Sequence, residues 1–277
     1  MNTNAIIAIT LAAAALVDVN VQRVNDRRSA GPFSHLELVI ELPKVKDTEV
    51  NASRVLLAAA TDETGADLVD REREVELATN FVSSRDASKP ATVSVTLKNP
   101  ARRATKLGEV RGEIELYMPS KDPNSVAEIA KLTSFSGKPL AHKALKANGV
   151  EIALVSPSQL AAEKKKAGDA KRKEYVADGY EGESLDQMVS SFVDSFLSVD
   201  ESDVVMRVKD PQKRIQEMVY IDGKGEVRRA SVRDEEGYTL MSIWGEPPQP
   251  DWKLRVSMRT PKNLVKHSFV LKDVPLP

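Results

Sequence analysis

Apolar residues return at every second position in stretch after stretch of this chain. That period suits a strand with one buried face and does not suit a helix. Leu36, Leu38, Ile40 and Leu42 alternate with Glu37, Val39 and Glu41 until Pro43 stops the run. Val17, Val19 and Val21 alternate with Asp18, Asn20 and Gln22, and Ile114, Leu116 and Met118 keep the same spacing. Arg54 to Ala60 and Thr92 to Leu97 are further runs, the first closed by Asp62-Glu63-Thr64-Gly65. The pattern resumes at Val204, Met206 and Val208. Arg214 to Ile221 then enters an Asp222-Gly223-Lys224-Gly225 turn, and Glu226 to Val232 returns from it. Tyr238 to Trp244, Lys253 to Met258 and His267 to Leu271 complete the set. Short runs punctuated by Gly, Pro and Asp are the pattern of β-sandwiches and barrels.

Between the two β-rich stretches the texture changes. Ser156-Pro157-Ser158-Gln159 reads as a helix start, with Ser as N-cap, Pro at the first helical position and Gln at N3. The helix it opens, LAAEKKKAGDAKRKEY, has only Leu160, alanines and Tyr175 to bury, so it reads as a solvated linker. Ser184-Leu185-Asp186-Gln187 repeats the cap signal. Leu185, Met188, Val189, Phe192, Val193, Phe196 and Leu197 follow as one apolar stripe at helical spacing. The expected organisation is a β-sandwich domain over 17–155, a helical segment over 156–201 and a smaller β-sandwich over 202–277. A length of 277 residues accommodates two ordinary domains, and 41% hydrophobic residues suffice for their cores.

The two β stretches share landmarks. Each sends a strand into an Asp-turn-Gly, Asp62 to Gly65 and Asp222 to Gly225. Each later ends an alternating strand at a proline, Pro119 after Met118 and Pro261 after Met258. The run Pro250-Asp251-Trp252-Lys253-Leu254-Arg255-Val256 resembles the corner between two strands in fibronectin type III and other immunoglobulin-like domains. Leu254 stands where that corner carries its tyrosine. The chain is also similar to exported bacterial proteins with paired immunoglobulin-like sandwiches. This resemblance implies a mainly β fold of two immunoglobulin-like domains and an envelope location, and it implies no activity.

The N-terminus points the same way. Ala5 to Val17, AIIAITLAAAALV, is apolar apart from Thr10 and is too short to span a bilayer, which suits the core of a signal peptide over residues 1–16. The opposing expectation is a buried N-terminal helix or strand, since no Lys or Arg precedes the run. An extracytoplasmic location follows from the first reading. No later stretch is long enough for a membrane span.

Charge and composition remove several function classes. The formal net charge is −1, which lacks the basic surplus of a nucleic-acid partner. With no cysteine, thiolate metal sites and cysteine nucleophiles are excluded. His35, His142 and His267 are the only histidines, and none are spaced as a helical zinc pair. There is no G-x-S-x-G elbow, and Ser134 with Lys138 misses the S-x-x-K spacing by one residue. Asp62, Glu63, Asp67, Asp70 and Glu72 crowd one turn, where a hairpin explains Asp62 and Gly65 better than a calcium site. Lys164-Lys165-Lys166 and Lys171-Arg172-Lys173 are interrupted by Glu163, Asp169 and Glu174, as on a solvated helix face.

The expected function is non-catalytic: a binding or structural protein presenting sandwich surfaces to a protein or glycan partner, with no cofactor or metal. Tyr238, Trp244 and Trp252 are the candidate ligand contacts, as an aromatic platform for a sugar or peptide, with core packing as the competing use. An extracellular hydrolase acting on a polymer is one alternative. A small-molecule or lipid carrier with a cavity beneath Phe192 and Phe196 is the other.

Overall fold

The computed structural model describes residues 18–29, 33–71, 78–79, 88–200, 202–243 and 246–277. The expected signal peptide and Trp244 lie outside the described residues. Within them the chain is mainly β, arranged as several antiparallel sheets.

The chain divides into two compact units. The first comprises residues 1–122 and 261–277, and the second is the intervening 123–260. In the first unit, β1 (Asn20–Arg27), β2 (His35–Lys46) and β5 (Pro90–Leu97) form a three-stranded sheet in the order β1-β2-β5. β3 (Ala52–Asp62), β4 (Ala78–Thr79), β6 (Lys106–Tyr117) and β15 (Leu264–Pro275) form a four-stranded sheet in the order β15-β6-β3-β4. The alternating residues seen in the sequence fill the space between these layers. Leu36, Leu38, Ile40 and Leu42 of β2, with Val93 and Val95 of β5, meet Val55, Val110, Ile114 and Phe269 of the other sheet in one buried core.

The second unit repeats this arrangement. β8 (Glu151–Leu154), β9 (Asp203–Lys209), β12 (Ser231–Glu235) and β13 (Tyr238–Ser242) form one sheet, ordered β12-β13-β9-β8. β7 (Val126–Ala130), β10 (Ile215–Ile221), β11 (Val227–Arg228) and β14 (Lys253–Met258) form the other, ordered β11-β10-β14-β7. Ile152, Met206 and Met241 from the first sheet pack with Met218, Tyr220, Leu254 and Val256 from the second. Matching the sheets neighbour by neighbour pairs β1 with β8, β2 with β9, β3 with β10, β4 with β11, β5 with β13 and β6 with β14. β15 and β7 then take matching edge places, and among the described strands β12 alone lacks a counterpart.

The shared Asp turns occupy equivalent places after β3 and β10. Asp62 Oδ1 accepts the N–H of Thr64 at 2.8 Å and of Ala66 at 3.1 Å. Asp222 Oδ1 accepts the N–H of Lys224 and of Glu226, both at 2.9 Å. Gly65 (φ 86°) and Gly225 (φ 85°) stand at the same turn position in the left-handed region that favours glycine.

The expected division at residues 155 and 202 differs from the observed one in two respects. The helical segment joins no two domains: it runs between β8 and β9, which pair directly with Leu154 opposite Met206. The last strand also leaves the unit that precedes it. β15 pairs with β6 from Leu264↔Tyr117 to Pro275↔Lys106. Strand length accounts for this pairing. β6 and β15 both span 12 residues, while β14 spans 6 and takes the 5-residue β7 as its neighbour. Pairing β15 with β14 would leave about half of its backbone groups without a ladder partner.

Candidate functional site

Tyr238 and Trp252, the two described residues of the expected aromatic platform, are used for packing. Tyr238 is 7% exposed and packs with Val205, Leu240 and Leu197 on one face of the β9-β13 sheet. Its hydroxyl accepts from Arg207 Nη2 at 3.0 Å, and the guanidinium lies 5.2 Å from its ring centre. Trp252 is 5% exposed and belongs to the core between the two sheets, with Tyr220 6.0 Å away between ring centroids. The two rings therefore sit in different apolar clusters and share no open face.

Tyr220 is fully enclosed, and its hydroxyl has no hydrogen-bond partner among the described residues. Burial pushes its pKa up, with the Asp203 charge adding to the effect. Asp203 Oδ2 accepts from Arg233 at 2.8 Å, and its Oδ1 has no partner among those residues.

The remaining polar candidates are committed to local structure. Ser134 Oγ donates to the Lys131 carbonyl at 2.7 Å. His142 caps α1 (Lys143–Ala147), its Nδ1 accepting the Ala144 N–H at 3.2 Å. His35 Nδ1 lies 3.1 Å from the Phe33 carbonyl, and burial lowers the pKa of His267 within β15. In the acidic turn, Glu63 accepts from the N–H and hydroxyl of Thr105, and Asp67 accepts from the Val69 N–H and Arg71. Glu72 lies outside the described residues. Among the described residues no group of acids and histidines is arranged to hold a metal ion. No helix there is long and apolar enough to cross a membrane.

What stands away from the sheets is the helical hairpin. α2 (Pro157–Ala177) begins with the expected capping box: Ser156 Oγ accepts the Gln159 N–H at 3.2 Å, and Gln159 Oε1 accepts the Ser156 N–H at 3.0 Å. α3 (Gly182–Ser195) starts earlier than its expected Ser184 cap, whose hydroxyl instead donates to the Glu181 carbonyl at 2.8 Å. The apolar stripe divides in two. Leu185, Met188, Val189, Phe192 and Val193 lie within α3, while Leu197 turns out of the helix at φ 51° and joins Tyr238 and Leu240 beneath it. Leu160 and Phe196 pack on that same cluster, fixing both ends of the hairpin to the sheet.

The two helices approach closely at Gly168, which is buried. A Cβ there would lie 2.6 Å from Val193 Cγ2. Arg172 bridges to Asp186 of α3 at 2.6 Å. Lys171 pairs with Glu174 at 2.6 Å, and this hydrogen bond raises the pKa of its ammonium. Lys171 also lies 5.1 Å and 5.8 Å from the ring centres of Tyr175 and Phe192. At the far end Val176 is 54% and Tyr180 43% exposed. Gly168→Leu is expected to pry α3 from α2. Amide exchange should quicken at least tenfold in both helices and stay unchanged in β9 and β13. Unchanged exchange in the helices would mean that this contact does not hold them together.

A groove of about 590 Å³ lies beside α1, with Leu140, Leu145, Val150 and Ile152 as its apolar lining and His142 and Lys146 among its polar lining. It does not involve Phe192 or Phe196, the residues expected to cover a carrier's cavity. The sequence analysis places no helix at α1; the signal that could have found it is His142, which acts as an N-cap through its ring nitrogen. No family model, curated protein or solved structure matches this chain.

Proposed function

We propose that this chain is a non-catalytic extracytoplasmic protein, built from two immunoglobulin-like sandwiches, that presents the α2–α3 hairpin to a protein or glycan partner. The observation that carries this reading is where the hairpin sits. It interrupts the chain between β8 and β9, adjacent strands of one sheet, and its two ends rest on Tyr238 and Leu240. A sheet closes across those strands without any such excursion, so thirty-odd residues of ordered helix point to a use beyond folding. The exposed Val176 and Tyr180, with Lys165 and Lys166 on the outer surface of α2, offer apolar and cationic contacts together. Recognition surfaces combine such contacts.

The immunoglobulin-like assignment is supported by the strand orders, in which three strands face four in the first unit and the same neighbours recur in the second. The apolar run Ala5 to Val17 supports export.

The test compares the full chain with a version in which residues 161–195 are replaced by a short Gly-Ser link that retains Leu160 and Phe196. Both proteins should unfold at similar temperatures, because the paired strands are untouched. Only the full chain should bind cell-envelope fractions or a glycan array. Mass spectrometry of the exported protein should find residues up to about 16 removed. Polymer hydrolysis by the purified chain would overturn the non-catalytic reading, as would equal binding by both versions for the hairpin's role.

A further inference from the structure

The two units follow one strand plan, yet each is completed by the strand that the chain's order would give to the other. After β6 the chain enters the second unit and forms β7 on β14, and after β14 it returns and forms β15 on β6. We propose that the place β15 fills on β6 is a transferable strand seat, and that its partner is β15 of a second copy of this chain. Two molecules would exchange residues 261–277 reciprocally. This inference is independent of the hairpin and of any ligand it takes.

The seat is specific for this segment. Its length matches the 12 residues of β6, and its inward residues Phe269, Leu271 and Val274 complete the core of the first unit. Its polar contacts match as well. Lys266 meets Glu115 at 2.7 Å and Glu113 at 2.9 Å, and Lys106 meets Asp273 at 2.5 Å. The Met118 N–H donates to the Asn263 carbonyl at 2.8 Å, and the Leu276 N–H donates to the Thr105 carbonyl at 2.8 Å. Every one of these contacts joins the 261–277 segment to residues of the first unit. A strand arriving from a second molecule reproduces them all.

Only the short connection Arg259–Lys262 must change its path, with the Asn263 carbonyl keeping its place against the Met118 N–H. Pro261 within it fixes its own φ and biases Thr260 toward an extended backbone, which favours a strand that reaches outward. Reciprocal transfer satisfies both seats and closes a two-fold dimer, leaving no edge for further chains. The balance between closed monomer and exchanged dimer is then set by protein concentration at the moment of folding.

The absence of cysteine permits a direct test. Ser268 and Glu113 are register partners across β15 and β6. One full-length chain carries Ser268→Cys and a second, of different mass, carries Glu113→Cys. They are unfolded together, refolded at high concentration and treated with a short bis-maleimide. The expected result is a cross-linked species holding one chain of each kind, its yield falling about tenfold when refolding is done at tenfold dilution. A chain carrying both substitutions, refolded dilute, should cross-link within itself, which verifies that both cysteines are compatible with the seat. Absence of the mixed product, with the intrachain product present, would overturn the proposal. Absence of the intrachain product would remove the register on which it rests.

Discussion

Deleting residues 261–277 is expected to unfold the first unit and leave the second folded. The deletion removes the buried side chains Phe269, Leu271 and Val274. At roughly 1.5–3 kcal/mol for each buried apolar side chain, the loss is on the order of 5–9 kcal/mol, comparable with the whole stability of a small domain. It also strips β6 of its neighbour from Lys106 to Tyr117 and uncovers Glu115, which is 3% exposed and is held by Lys266 on one side and Arg54 at 2.6 Å on the other. In the intact protein these two cations, with their hydrogen bonds and charges, outweigh the effect of burial and keep the Glu115 carboxyl below its ordinary pKa. The second unit is continuous from 123 to 260 and holds none of the deleted residues. Amide exchange should therefore become fast throughout β1, β2, β3, β5 and β6, and stay slow in β10, β13 and β14. Loss of protection in both units together would show that neither stands without the other, and slow exchange in both would deny β15 its closing role.

The second large effect is expected at Asp62. Its carboxylate accepts four hydrogen bonds: from the N–H and hydroxyl of Thr64 and the N–H of Ala66 on Oδ1, and from the N–H of Ala101 at 2.8 Å on Oδ2. It thereby ties the turn after β3 to the loop before β6. Burial alone would raise its pKa, but the Thr64 hydroxyl and the three N–H groups outweigh burial and hold it at about 2, below its ordinary 3.8. Asp62→Ala leaves those donors without their acceptor in a part-buried turn, at a cost on the order of 3 kcal/mol. The sign of the pH effect follows from the lowered value. The stabilisation is present above the ordinary carboxylate pKa and is lost as pH falls through about 2. Wild-type stability, measured by denaturant melts, should therefore decline between about pH 4 and pH 2 more steeply than that of the variant. Equal slopes would mean that this carboxylate contributes nothing to the acid limb.

Much of the layered body was readable because a period of two states which residues face inward. The inward positions of β2, for example, are all buried as their spacing requires. The capping box at Ser156 and the paired Asp turns were equally legible, since each depends on residues within four positions of one another. Which strand lies beside which was not legible, because alternation fixes a face and names no neighbour. β15 could be read as a strand, but its partner lies on the far side of an entire intervening unit. Tyr238 is packed rather than presented for a related reason. Alternation placed Tyr238 and Leu240 on one face, and nothing in it showed that Phe196 and Leu197 would cover that face. The helical stripe reads as one surface because its spacing is continuous, whereas a left-handed residue at Leu197 diverts its end into the sheet.

The return of the chain to its starting unit bears on how the molecule is made. A ribosome delivers the opening half more than a hundred residues before it delivers the piece that finishes it. Until then that half lacks Phe269, Leu271 and Val274 and has an incomplete hydrophobic interior, the condition in which exposed apolar surface invites wrong contacts. Its final tightening waits for β15 to reach β6. A product that lacks β15 carries an open β6 edge, a template for unwanted pairing.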